Sequence, residues 1–218
     1  MPRALSSLPG PNEAAAFADS AGLRPDAPFL GRQTSLSEAR GPEFTTRTAE
    51  LRHTDRMTDL ALLVLRVWLG LVMLAHGIHH ARSQEGTAKW FASKGFRHAE
   101  LNARGSALGE LAVGTGLVLG LLTSVAATGL VSTMAVAFWS IHRFAGFFVF
   151  KRPDEGWEYV ATLSVAATAV AVAGPGRFSL DEALGWAGDL DGLTGLTLIG
   201  AGLVAAAIQL AIAWREPT

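Results

Sequence analysis

Six ionisable or hydroxyl-bearing side chains stand where apolar sequence surrounds them: Arg66, His76, Glu110, His142, Glu158 and Tyr159. Charged or titratable groups at membrane depth cost several kcal/mol by most estimates, so each needs a functional or a structural partner. Imidazole and carboxylate near one another could hold a quinone head group or relay protons during its reduction. The same residues also fit an interhelical hydrogen-bond clamp, in which His76 and Glu110 form the expected pair. His76 and His80 lie i, i+4 on one helix face, as a metal pair would, with His79 beside them. No acidic or thiol framework accompanies them, so no metal is expected. A haem between His76 and His142 would need the same geometry.

The elements that must position these groups are five apolar runs. Leu60 to His80 is the clearest, about 21 residues or roughly 31 Å at 1.5 Å per residue, against a hydrocarbon core of about 30 Å. Ala107 to Leu122, Val125 to Ile141, Trp157 to Ala173 and Leu193 to Trp214 follow, each free of Lys and Arg. The fold class this predicts is all-α, a polytopic membrane helical bundle with five spanning helices, the last a C-terminal transmembrane helix. The middle three runs are short for a perpendicular span and require extension into their flanks or local bilayer thinning.

Walking the runs back and forth across a bilayer places His76 and Glu110 each about one turn below one face. His142 ends the third run at that face and Glu158 and Tyr159 open the fourth there. His76, Glu110, His142 and Glu158 are therefore the candidate catalytic set, with Phe147, Phe148 and Tyr159 expected against the ring of a bound cofactor. Arg66 falls near the opposite face, where Asp181 follows the fourth run, so the two are expected to form a structural ion pair. Asp181 could instead charge the first turn of the short helix it belongs to.

Only Thr123 and Ser124 part the second and third runs, which predicts a tight antiparallel hairpin or a bend. Gly109, Gly114, Gly116 and Gly120 would let a neighbouring backbone approach the second helix. The first connection sets Lys89, Lys94, Arg97 and Arg104 among Trp90, Phe91 and Phe96, the pattern of an interfacial segment. The third connection holds Phe144, Phe147, Phe148 and Phe150 and should dip into the membrane or cap the bundle. Gly174-Pro175-Gly176 stops the fourth helix, and Ser179 with Glu182 reads as a capping box. Basic residues in the first and third connections favour a cytoplasmic location for both, while Arg40, Arg47, Arg52 and Arg56 pull the other way.

Composition sets the outer limits. The 218 residues are 50% hydrophobic and 17% charged, and six of the nine prolines fall within residues 1–58, which predicts a disordered N-terminal tail there. Met1 to Ser20 is broken by Pro9, Pro11, Asn12 and Glu13 and does not read as a secretory signal. A net charge of −1 without a basic cluster gives no reason to expect nucleic acid. The absence of cysteine excludes disulfide relay, thiolate zinc and Cys-held iron–sulfur clusters within the chain.

Taken in order, LLVLRVWLGLVMLAHGIHH, EGTAKWFASKGF, GELAVGTGLVLGLLT, GFF at 146–148 and AGPGRFSLDEALG resemble the DoxX-type membrane protein family. That superfamily includes the DoxD subunit of thiosulfate:quinone oxidoreductase. The likeness covers about residues 58–186, so residues 59–186 would be the four-helix domain and 187–218 an additional helix. The resemblance implies a multi-pass protein of the cell membrane, linked to quinone or sulfur redox systems and to a separate catalytic partner. Arg66, Glu110 and the stretch Arg177 to Asp181 sit where the family's motif residues sit. The cysteines of some thiol-redox relatives are absent. Two functions remain open on these residues, a quinone-interacting subunit and a non-catalytic anchor for a partner enzyme; a transporter is disfavoured by the lack of an inverted repeat.

Overall fold

The computed structural model describes residues 42–150 and 155–217, with side chains from residue 53 onward. The expected tail over 1–41 lies outside the described residues. Contacts divide the chain into residues 1–51 and 52–218, and of the first unit only the helical backbone from Pro42 is described.

Every apolar run is helical. The helices are α1 (Pro42–Arg82), α2 (Gln84–Ser93), α3 (Ala99–Leu119), α4 (Thr123–Ser140), α5 (Glu158–Ala173), α6 (Leu180–Ala183) and α7 (Gly192–Ala213), with a 3-10 turn at His142–Phe144. α1 starts at Pro42, well before the expected boundary at 58. Pro42 occupies the first turn, where its missing N–H costs nothing, and no further proline interrupts the segment. α3 likewise begins at Ala99, because good helix formers at Ala99, Glu100, Leu101 and Ala103 carry it back into the polar connection.

Among the described residues, three helices are long and apolar enough to cross a membrane: α1 from His53, α4 and α7. α5 is apolar but only 16 residues long. α3 has the length, at 21 residues, but carries Glu100, Arg104 and Glu110 and falls short in hydropathy. The difference from five equivalent spans has a simple cause. Glu100 and Arg104 are exposed in the first turns of α3 and Glu110 is buried against α1, and these charges, set among small residues, lower the hydropathy of α3 below that of the other spans.

α3 and α4 form the expected antiparallel hairpin through Gly120, Leu121 and Leu122. Gly116 packs on Ala126 and Gly129 on Val113, so moving forward on one helix moves backward on the other. The turn needs left-handed backbone at both Gly120 (φ 65°) and Leu122 (φ 48°). The second is costly for a residue with a side chain. Asp181 stabilises it: its carboxylate oxygens accept the N–H groups of Leu122 at 2.7 Å and Thr123 at 2.8 Å, and its own N–H donates to the Gly120 carbonyl at 2.9 Å. Asp181 thereby also satisfies the N-terminus of α4, where a carboxylate meets the positive end of the helix dipole. α6, which presents Asp181, starts at Ser179, whose hydroxyl accepts the N–H of Glu182 as the capping box predicts.

α1 lies antiparallel against α3 along Gly70, Gly77 and Gly114. A Cβ on Gly114 would stand 2.8 Å from both the Gly70 carbonyl and the Leu74 N, and one on Gly77 would stand 2.9 Å from the Leu111 N. Below this contact a shared core joins Leu69 and Met73 of α1, Leu117 of α3, Ala127 and Leu130 of α4, and Val170 of α5. Gly114→Ala is therefore expected to force α1 and α3 apart and to cost about 1–3 kcal/mol. Gly200→Ala on α7, where nothing lies within 4 Å of the added methyl, should be neutral. Unfolding of the two variants in detergent, compared with wild type, checks the contrast.

Candidate functional site

At the end of the bundle nearer α2 the helices enclose a cavity of about 700 Å³. Its polar wall comes from His76, His79 and His80 on α1, Ser106 and Glu110 on α3, and His142 with Tyr159 at the mouth of α5. Its apolar wall includes Met73, Met134, Leu163 and, from α2, Trp90 and Phe91. α2 holds its position through Phe91, which meets Phe96 edge-on with centroids 4.9 Å apart in a cluster with Ala103 and Trp214.

Glu110 is the focus of one polar group. It is 5% exposed, accepts a hydrogen bond from Ser106 Oγ at 2.7 Å through Oε1, and holds Oε2 3.0 Å from His80 Nδ1. That approach is within ion-pair distance but not aligned as a hydrogen bond, so Oε2 has no hydrogen-bond donor and its acceptor capacity remains open. The partner is His80 and not the expected His76. Side chains on a helix lean toward its N-terminus, so Glu110 reaches back toward Ser106. The antiparallel contact of α1 puts the later residue His80 at that level. His76 lines the same cavity, with its ring 6.4 Å from that of His80, but is exposed.

The second polar group is His142 with Tyr159. His142 Nδ1 lies 2.6 Å from the Glu155 carbonyl and Nε2 2.7 Å from the Tyr159 hydroxyl. A carbonyl only accepts, so Nδ1 carries the proton, Nε2 accepts, and Tyr159 donates to it. His142 is thus fixed in one tautomer and one orientation.

Other expected site residues stand elsewhere. Glu158 does not line the cavity; its Oε2 accepts the Val149 N–H at 3.3 Å. Phe147 and Phe148 are also outside it, 44% and 50% exposed. The chain folds back there so that the carbonyls of Gly146 and Phe147 accept the N–H groups of Trp157 and Glu158, satisfying donors at the start of α5 and turning the rings outward. The aromatic cover falls to Trp90 and Phe91 instead. Ser106 and His80 were the residues that sequence reasoning passed over as partners of Glu110; the i, i−4 spacing of Ser106 from Glu110 was the available signal.

Arg66, 1% exposed, sits at the other end of the domain and donates to the Phe178 carbonyl through Nη2. No direct ion pair joins it to Asp181. The two meet on the Gly120–Thr123 turn, with Asp181 acting on the guanidinium through space while its oxygens are engaged by backbone. Arg66 Nε and Nη1 have no hydrogen-bond partner.

The DoxX family model matches residues 61–143. This stretch is a DoxX-type domain. The match takes in His76, His80, Ser106, Glu110 and His142, and ends before Tyr159, Asp181 and α7. No curated protein and no solved structure matches the chain. The DoxX-type segment thus contributes one complete polar group of the cavity, and the part of the chain after it completes the other.

Asp181→Ala is expected to strip two backbone donors of their acceptors and cost about 2–4 kcal/mol, with Asp181→Asn intermediate. Tyr159→Phe should cost about 1 kcal/mol, since His142 keeps its Glu155 contact. Chemical denaturation of the three variants in detergent ranks them.

Proposed function

We propose that this membrane protein binds a quinone in the cavity and serves a redox complex as its quinone-interacting subunit. The observation that carries the reading is the Glu110 carboxylate in the cavity wall, whose buried Oε2 has no aligned hydrogen-bond donor and meets only the His80 Nδ1 at 3.0 Å. A purely structural clamp would satisfy both oxygens from within the protein, because an open acceptor in a buried site is unfavourable. A quinol hydroxyl supplies the missing donor. The cavity volume is in the range of small-molecule sites, and its mixture of aromatic and aliphatic walls with a few polar groups suits a ring bearing oxygens.

Quinone reduction takes up two electrons and two protons. Glu110, when protonated, can deliver a proton at Oε2, and Ser106 and His80 are placed to replace it. Tyr159, whose own proton goes to His142 Nε2, offers its oxygen as an acceptor for a quinol hydroxyl. The chain has no thiol to pass electrons, so a partner protein in the membrane complex is their source. The setting is the cell membrane, crossed more than once. The alternative role, an anchor that holds such a partner without binding quinone, makes no use of the open oxygen.

Extraction of the detergent-purified protein should recover bound quinone from wild type and little from Glu110→Gln, with the fold retained. Added quinone at about 100 times its Kd should stabilise wild type by about 2.7 kcal/mol and the variant much less. Absence of quinone from wild type, together with no stabilisation by added ubiquinone or menaquinone analogues, would discard the reading in favour of the anchor.

A further inference from the structure

A second groove lies outside the DoxX-matched helices' shared cavity, between α4 and α7, with a volume of about 570 Å³. Ala135, Phe138 and Trp139 form one side and Leu203, Ala207 and Ala211 the other. Along α7 it runs from Leu203 to Trp214, about 16 Å at 1.5 Å per residue. Both helices are long and apolar enough to cross a membrane, so the groove is a lipid-facing channel sized for an acyl chain. That much would suit any lipid.

The mouth is more selective. It opens where α4 and α7 end, at Trp139 and Trp214, the level at which indoles mark the membrane interface. The Arg143 guanidinium stacks over Trp139 at 4.5 Å and Phe144 at 4.2 Å, and its Nε donates to the Trp139 carbonyl. Among the described residues, an outer nitrogen of Arg143 meets Glu216 at 4.0 Å. Arg215 and Glu216 line the groove itself, with one Arg215 nitrogen held by the Ala211 and Trp214 carbonyls, while Arg143 adjoins it, its guanidinium 5.9 Å from the Trp214 ring. The rim is rigid because the chain after α7 is tied to the connection following α2. Arg97 N donates to the Ala213 carbonyl, Arg215 N to the Gly95 carbonyl and the Trp214 indole to the Lys94 carbonyl. That tie brings the basic residue Arg97 to the segment paired with Arg215.

We infer that this groove is a binding site for an anionic phospholipid, with an acyl chain between α4 and α7 and the phosphate held by Arg143 and Arg215. Charge complementarity selects the occupant: two guanidiniums at an interface-level rim recognise a phosphate, and Arg is suited to it by its forked donors. A zwitterionic lipid presents the same phosphate but adds a cation that these guanidiniums repel. Glu216 opposes the anion and competes for Arg143, so it limits the preference. The site is independent of the quinone reading, sharing neither Glu110 nor His142.

The test uses the full-length protein in nanodiscs of equal phosphatidylglycerol and phosphatidylcholine, with the lipids retained after transfer to detergent measured by native mass spectrometry. One basic charge near the membrane surface corresponds to about a 5-fold enrichment, so wild type should retain phosphatidylglycerol about 5-fold over phosphatidylcholine. Arg143→Gln with Arg215→Gln should abolish the preference, and Glu216→Gln should raise it. Ala207→Phe, an exposed position on α7, should fill the groove and reduce retention of both lipids. Equal retention of the two lipids by wild type would overturn the proposal. So would undiminished lipid retention in Ala207→Phe together with an unchanged preference in Glu216→Gln, even if the double arginine variant fails to fold.

Discussion

The backbone contact between α1 and α3 at Gly70, Gly77 and Gly114 is the constraint on which the rest of the domain depends. In lipid no hydrophobic force separates helix from surroundings, so association rests on close packing and on hydrogen bonds between helices. Glycines let the two backbones meet, with a Gly114 methyl standing only 2.8 Å from the Gly70 carbonyl. That contact fixes the level at which α1 passes α3. The level in turn makes His80, one turn beyond His76, the neighbour of Glu110. A shift of one turn along α1 would dissolve the polar group without altering a single residue.

The two ends of the domain use buried polarity differently. At the tight-turn end, Asp181 spends both oxygens on backbone N–H groups of the hairpin, and Arg66 is anchored on the Phe178 carbonyl. Those groups stabilise a strained Leu122 and give α4 its starting point. At the cavity end, His142 is similarly saturated by the Glu155 carbonyl and Tyr159. Glu110, in the wall of the cavity, keeps Oε2 without an aligned donor, as Arg66 keeps Nε and Nη1 without an acceptor at the other end.

α7 and the residues after it lie beyond the DoxX match but are part of the same packing. Gly202 sits against Thr128, and Gly195 against the Ala171 carbonyl, bringing α7 onto α4 and α5. The bridge between Phe96 and Trp214 then links the end of α7 to the segment that supports α2. Through that link the last helix stabilises the cover of a cavity to which it adds only Gln209. The aromatic residues of the third connection serve the outside instead, with Phe148 and Phe150 stacked at 5.2 Å and exposed where the interface would receive them.

The sequence by itself determined the apolar helices, the membrane, the hairpin at Thr123 and the end of the bundle at which His76, Glu110 and His142 gather. These follow from run length, charge exclusion and the cost of buried titratable groups, which are local or one-dimensional properties. Even the Asp181 carboxylate at a helix N-terminus was legible as a type of interaction, although the helix it caps is α4 and not its own α6. Only the tertiary structure decided which histidine meets Glu110 and that Glu158, Phe147 and Phe148 turn away from the cavity. Those outcomes depend on rotation and level between helices far apart in sequence. A difference of one helical turn exchanges His76 for His80, and the order of residue types along the chain does not contain it.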